Sequence, residues 1–439
     1  MKTQRKLLFN FTILFASMLL AACGYNAQKQ NFTNVIAKQY SPIAGGLINQ
    51  ASDSSAHWLT PSLLVMPKSD KVKTYQLLNI SKAVSDVVML NEVSFPEHLA
   101  KKFPHLANFQ AFNVSLSPAQ VKTWLKEPFM VIALDRGRQT QEVSFVQTAA
   151  VIDSIYTQGE NDADEVTDLG STVTEKGVSF KLWAPTAQQM NPASLTMTEN
   201  TNTGIWSIIG DSSFDGAYYQ YQVTIYHPES KKIETLITTD PYSKSLSVNS
   251  KYSQVVDLDS PSSQPENWLN HTVPTVKNVE DNIFYETHIR DFSSGDSALS
   301  NAENRGKYKA FSEQKSHGIT HLKALKKAGL NNIHLLPAYD LATINEDAKQ
   351  SVDINDSISQ VRAKVCNAAP TITLCSDAYI DDGEDKSLKT LLTSFDVNSE
   401  QAQLIVSELR QFDNFNWGYD PFHYTVPECS YALNPQGEN

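Results

Sequence analysis

The sequence predicts a multidomain protein, mainly β in its first two domains and then turning to a parallel βαβ unit. Three observations carry this reading. Short apolar runs such as Ser62–Met66, Tyr75–Leu78 and Phe129–Leu134 alternate with polar turns from Ala56 to about Val151. Strict period-two alternation follows in Val178–Trp183 and again in Tyr219–Tyr226, which marks a β-sandwich. From about Glu280 the pattern changes to strand, helix and strand within a short span, the signature of parallel pairing through a helical crossover.

Lys2, Arg5 and Lys6 form a positive n-region, and Leu7–Leu20 is apolar apart from Asn10, Thr12 and Ser17. A membrane span needs about 20 apolar residues, so this segment reads as a secretion signal. Leu20-Ala21-Ala22-Cys23 looks like a bacterial lipoprotein processing site, at which Cys23 is acylated; the alternative is an ordinary signal with a chance cysteine. Acyl chains on Cys23 would give durable membrane attachment. Gly24 supplies no acidic inner-membrane retention signal, so the expected location is the bacterial cell envelope, at the outer membrane or surface.

Residues 1–23 are thus the signal peptide, and the polar, small-residue stretch 24–55 is a tether. Residues 56–158 form the N-terminal β domain, interrupted by a helix near Pro118–Lys126. The acidic segment Gly159–Asp168 leads to a β-sandwich at 166–275, and Pro261–Pro274 make a second linker. Within 280–439, Ile283–Ile289 is the first strand of the βαβ unit. Ile319, Leu322, Leu325 and Ala328 recur at helical spacing before a C-cap glycine, Gly329. Asn332–Pro337 is then expected as a buried strand. Residues 338–439 show helical patches at Leu388–Leu392 and Glu400–Leu409, so they read as a long excursion of the kind that is usually functional.

The chain has 439 residues, 41% of them apolar and 10% aromatic, enough for substantial cores. Its net charge of -12 and the lack of a Lys/Arg block beyond the first residues exclude nucleic acid as a partner. With Cys23 lipidated, Cys366, Cys375 and Cys429 remain. Cys366 and Cys375 could close a short disulfide loop outside the cytoplasm, although connectivity is not readable from spacing. His57, His288 and His334 stand at no zinc-site spacing, and no EF-hand loop occurs, so no metal is assigned.

Three segments together resemble one family. Leu182-Trp183-Ala184-Pro185-Thr186-Ala187, Tyr285-Glu286-Thr287-His288-Ile289-Arg290-Asp291-Phe292 and Phe415-Asn416-Trp417-Gly418-Tyr419-Asp420-Pro421 are similar to bacterial pullulanases, the α-1,6-debranching members of the α-amylase superfamily. Ala56–Leu59, Thr239–Tyr242 and His334–Pro337 fit the same family in the same order. The resemblance implies an N-terminal mainly-β domain, an immunoglobulin-like sandwich of starch-binding type and the first part of a (β/α)8 barrel. It implies an α-glucan partner such as pullulan or branched dextrins, and it leaves calcium open without naming ligands.

The resemblance also shapes the candidate site. Trp417 and Tyr419 offer flat rings on which a pyranose can stack, and Asp420 can accept hydrogen bonds from sugar hydroxyls. Asp291 and Asp340 follow the first two barrel strands, at the face where barrel enzymes place their sites; a capping or turn aspartate is the equal alternative for each. Trp206, Tyr219 and Tyr221 could form a glucan platform on the sandwich, but core packing is the better reading of them. Retaining glycosidases need two carboxyl groups about 5–5.5 Å apart. The family's nucleophile, acid/base and third aspartate follow barrel strands four, five and seven, and none is recognisable here. Two other departures are a stretch from Trp183 to Trp206 that is shorter than the family's, and Cys429 where the family has glycine. The expectation is a pullulanase-type chain, truncated before its catalytic residues and inactive as it stands; the alternative is a non-catalytic α-glucan-binding surface lipoprotein.

Overall fold

The structure, a computed structural model, describes residues 53–436 apart from 70–71, 73, 81–85, 193–194, 377–384 and 414–415, with Leu47, Gln50 and Ala51 ahead of them. The expected signal segment, Cys23, most of the expected tether and Phe415 lie outside the described residues.

Seven strands make the first domain: β1 (Asp53–Thr60), β2 (Leu63–Met66), β3 (Thr74–Asn79), β4 (Val87–Val93), β5 (Gln110–Asn113), β6 (Phe129–Leu134) and β7 (Thr140–Gln147). They close into a barrel in the order β1-β2-β5-β4-β3-β6-β7, sealed by the parallel pairing of β1 with β7. Trp58, Leu64, Met66, Leu77, Phe112 and Val131 fill it. Three helices accompany the barrel, α1 (Glu97–Lys102), α2 (Pro118–Trp124) and α3 (Ala149–Tyr156). Ser117 and Gln120 form a reciprocal capping box at the start of α2, and Pro118 takes the first turn, where its missing N–H costs nothing.

The second domain is a sandwich of β8 (Gly170–Thr174), β9 (Gly177–Trp183), β10 (Gln189–Pro192), β11 (Thr198–Asn200), β12 (Ile205–Gly210), β13 (Tyr218–Tyr219), β14 (Tyr221–His227), β15 (Lys232–Thr238) and β16 (Ser253–Gln254). One sheet runs β11-β12-β9-β8 and the other β10-β14-β15, with β13 and β16 paired beside them. Alternation does what the sequence implies. Val178, Phe180 and Leu182 point inward from β9 and meet Tyr221 and Val223 from β14.

The third part opens with β17 (Phe284–Thr287), crosses over through α4 (His317–Lys327) and returns as β18 (Asn332–Leu335), parallel to β17 with Phe284 opposite Asn332. The Ser316 hydroxyl caps α4 by accepting the Ile319 N–H, and Gly329 ends it at φ +116°. Ile319 and Leu322 are buried, as the helical spacing requires. The expected buried second strand is not buried. Phe284, Ile333 and Leu335 are 63%, 46% and 39% exposed. Among the described residues β17 pairs only with β18, so the two-stranded sheet keeps an uncovered apolar surface.

After β18 come β19 (Tyr339–Leu341), helices α5 (Ile358–Val365), α6 (Leu388–Ser394) and α7 (Gln401–Leu409), and β20 (Pro421–Pro427), which returns antiparallel to β19. The excursion has a core of its own, including Val361, Val365, Leu374, Leu388, Ile405 and Leu409. Its ends meet where the Val352 N–H donates to the Phe412 carbonyl at 2.7 Å. Cys366 and Cys375 are joined in a disulfide within it, and Cys429 is free and buried. No helix among the described residues is long and apolar enough to cross a membrane.

Candidate functional site

The site grows from the antiparallel ribbon of β19 and β20. Pro421 opens β20, and alternation sends Phe422 and Tyr424 outward while His423 turns in. Gly418 adopts φ +83°, and a Cβ there would stand 2.7 Å from the Pro337 carbonyl oxygen. Only glycine allows the strap to pass so close to the end of β18. That passage leaves Trp417 65% and Tyr419 69% exposed on either side of the buried glycine. Asp420 is half-buried next to them, and its carbonyl accepts the Ala342 N–H at 3.0 Å. Tyr424, 71% exposed, packs its ring 5.2 Å from that of Tyr339.

A polar network braces the strap from below. The Tyr431 hydroxyl lies 3.1 Å from His288 Nε2 and donates weakly to Asn416 Oδ1 at 3.5 Å. His288 Nδ1 accepts the Arg290 N–H at 3.1 Å, so the neutral imidazole carries its proton on Nε2. Burial lowers the pKa of His288, against an opposing pull from Asp291, which is exposed in the turn after β17. Of the residues expected in the cleft, Trp417, Tyr419 and Asp420 share one strap, and Asp291 lies on the turn that holds His288.

Asp340 does not join them. It is fully buried and cannot touch a sugar. Its Oδ2 lies 2.6 Å from His423 Nδ1, its Oδ1 accepts the Ser250 hydroxyl at 2.6 Å, and His423 Nε2 is 2.9 Å from Thr239 Oγ1. These contacts bind the sandwich to the ribbon. Glu346 and Glu428 converge on Asp340, with one oxygen of each residue within 4.8 Å of the others. Burial, then the charges of Glu428 and Asp340, push Glu346 up to about 8; burial raises Glu428 as well.

The sandwich aromatics form core rather than a glucan platform. Trp206, Tyr219 and Tyr221 are 7%, 5% and 0% exposed and belong to the sandwich core. Trp206 Nε1 donates to the Ala184 carbonyl at 3.1 Å. The hydroxyls of Tyr219 and Tyr221 donate to Asp240 Oδ2 at 2.7 and 3.3 Å. Asp240, itself buried, draws both tyrosines inward, so alternation correctly put them on one face and that face is the interior. His423, Glu346 and the Asn249–Ser250 corner escaped sequence reasoning. The only signal was the positive-φ tolerance of asparagine, since Asn249 and Ser250 sit at φ 57° and 50°.

A mainly-β barrel, a sandwich and a βαβ unit with an aromatic strap at its strand ends define a multidomain protein of the glycoside-hydrolase type. Residues 53–154 match the family model of the pullulanase N2 domain, and residues 168–243 match carbohydrate-binding module 48 (isoamylase N-terminal domain). The chain is 35% identical over 411 residues to the pullulanase of Klebsiella pneumoniae, a match covering 88% of this chain and 37% of that protein. It is 30% identical over 357 residues to the chloroplastic pullulanase 1 of Arabidopsis thaliana, covering 78% of this chain and 32% of that one. A crystal structure of the Klebsiella pneumoniae pullulanase in complex with maltotriose matches with a TM-score of 0.78 at 34% identity, over 88% of this chain and 44% of that chain. The chain belongs to the pullulanase family of debranching glycoside hydrolases. It spans about a third of the length of these curated relatives.

Proposed function

We propose that the protein serves α-glucan catabolism in the bacterial cell envelope through pullulanase-type chemistry on α-1,6 branches, and that these 439 residues bind glucan without cleaving it. The observation that carries the reading is the strap, where Trp417 and Tyr419 present exposed rings held in place by Gly418. The similarity to a pullulanase solved with maltotriose supports an α-glucan, such as pullulan or a branched dextrin, as the ligand. Hydrolysis with retention requires two carboxyl groups about 5–5.5 Å apart across the scissile bond. Asp340, Glu346 and Glu428 do converge, but they are buried and engaged in holding domains together, so they cannot flank a glycosidic bond.

The second reading, a non-catalytic glucan-binding surface lipoprotein, draws on the sandwich, of which residues 168–243 match module 48. Attachment through Cys23 belongs to both readings and rests on the Leu20-Ala21-Ala22-Cys23 junction. Affinity electrophoresis through pullulan gels tests the binding claim. Retardation of the chain that weakens about tenfold in Trp417→Ala/Tyr419→Ala supports it, and migration unaffected by pullulan overturns it. Release of reducing sugar from pullulan by the purified chain would refute the claim that these residues do not cut. Labelled palmitate incorporated by the wild type but not by Cys23→Ser checks the anchor.

A further inference from the structure

Apart from the strap, a second concave surface opens where the first domain meets the sandwich. A groove of about 500 Å³ runs between α2 and the turn that joins β11 to β12. One wall is the exposed face of α2, with Pro118, Ala119 and Thr123, and the other is Thr201–Asn202 at the tip of the turn. The local sequence pins this turn. Gly204 takes φ +68°, and a Cβ there would stand 2.6 Å from Pro185 and 3.2 Å from Tyr156, so the turn seats directly on both. The Gly204 N–H donates to the Asn200 carbonyl at 2.7 Å, and Trp183 Nε1 to the Thr203 carbonyl at 3.0 Å. Two lysines cross from the first domain to the turn. Lys122 Nζ donates to the Thr201 and Asn202 carbonyls at 2.6 and 3.3 Å and lies 4.6 Å from the centre of the Tyr156 ring, while Lys126 pairs with Glu199. Beneath Lys122 the Tyr156 hydroxyl is buried and has no hydrogen-bond partner. An orphan phenol on the floor of a groove marks a site whose polar complement comes from outside the chain.

We propose that this groove is a second α-glucan site, which grips a short stretch of the sugar chain between the first domain and the sandwich; it rests on the α-glucan reading above but uses none of the strap. Charge narrows the ligand class. Glu199 stands against an anion, and Lys122 and Lys126 stand against a cation. An apolar ligand would strand the polar atoms of the walls without partners. A neutral polyol fits, because each sugar hydroxyl both donates and accepts. Lys122 uses two of its three N–H donors on carbonyls, the exposed Asn202 amide offers a donor and an acceptor, and Glu199 keeps Oε1 as an acceptor. Pro118 and Ala119 supply an apolar edge for the C–H face of a pyranose ring. The volume of about 500 Å³ is that of a small-ligand cleft and admits an oligosaccharide segment. A hydroxyl that draws Lys122 toward solvent also gives the Tyr156 phenol its missing partner. The α2 wall lies within the pullulanase N2 match and the turn within the module 48 match, so neither domain contains the site alone.

The test is titration calorimetry of the full chain with maltotetraose, on the wild type, Trp417→Ala/Tyr419→Ala, Ala119→Trp and Asn202→Ala. Ala119 is exposed on α2, so the indole fills the groove without entering a core. Asn202→Ala removes only the exposed amide. Its backbone N–H still donates to Asn200 Oδ1 at 3.0 Å, so this variant keeps the turn even where the bulkier one does not fold. The expected result is about two equivalents bound by the wild type, of which Ala119→Trp loses one and Asn202→Ala weakens one about tenfold. Trp417→Ala/Tyr419→Ala should keep the equivalent that belongs to the groove. A single wild-type equivalent that disappears in the strap variant would overturn the groove and leave the α-glucan reading standing. No binding by any of these proteins would overturn both. Undiminished binding of both equivalents by Ala119→Trp and Asn202→Ala would overturn the groove equally.

Discussion

His423 Nδ1 lies 2.6 Å from Asp340 Oδ2 with both side chains sealed from solvent, and Thr239 closes the chain at 2.9 Å from the other ring nitrogen. One imidazole thus spans the ribbon and the sandwich. His423→Ala should leave a buried carboxylate and a buried hydroxyl without their partner and cost about 2–4 kcal/mol, visible as a lower denaturant midpoint. A midpoint equal to wild type would show that the contact carries no stability.

Trp206→Ala should act on folding. With the ring 7% exposed and its N–H bonded to Ala184, truncation opens a cavity costing about 3–5 kcal/mol. Any loss of starch retention in this variant should coincide with loss of the sandwich's cooperative unfolding. A fully folded variant that no longer binds would reinstate Trp206 as a ligand contact.

Gly418→Ala forces a side chain into a left-handed position facing the Pro337 carbonyl at 2.7 Å. The strap should shift locally at a cost of about 1–3 kcal/mol, with weaker glucan binding and little change in the β domains. Retained binding measured by titration calorimetry would show that the strap does not need this turn.

His288 contributes a pH dependence of definite sign. Burial lowers its folded-state pKa below the unfolded value of about 6.5, so the unfolded chain takes up the proton first. The stability associated with a neutral ring is present above that value and is lost as pH falls through it toward the lower folded pKa. Between about pH 7.5 and about pH 5.5 the wild type should therefore lose unfolding temperature relative to His288→Gln. Parallel pH profiles for the two proteins would contradict this.

Reducing the Cys366–Cys375 bridge, or replacing both cysteines with serine, should destabilise the excursion by about 2–3 kcal/mol, from the loop entropy of a nine-residue separation. Proteolysis should then cut between 353 and 412 while the barrel and sandwich stay intact. Uniform resistance would count against an independently folded excursion.

What could be read in advance depended on period. Val178, Phe180 and Leu182 announced β9 because every second residue must face the core, and Ile319 and Leu322 announced α4 in the same way. Ser62–Met66 and Phe129–Leu134 announced strands but not their closure into a barrel, because the β1–β7 contact is long-range and parallel. Glu346 and His423 gave no periodic signal. Their importance comes from meeting Asn249 and Thr239 across a domain junction, and no local pattern encodes that meeting. Asp340 was located correctly after its strand, but its side chain turned toward the sandwich, because a fully occupied hydrogen-bond set was available there.

The excursion between β19 and β20 leaves and re-enters at one point, where Val352 meets Phe412, and it keeps its own core and bridge. Its interior can therefore lengthen, shorten or be exchanged without displacing Asp340 against His423 or moving the strap that follows. Mutational drift in this interior is uncoupled from the strap. The protein carries, in effect, an interchangeable cassette beside its aromatic strap, free to acquire a contact of its own while the strap is preserved.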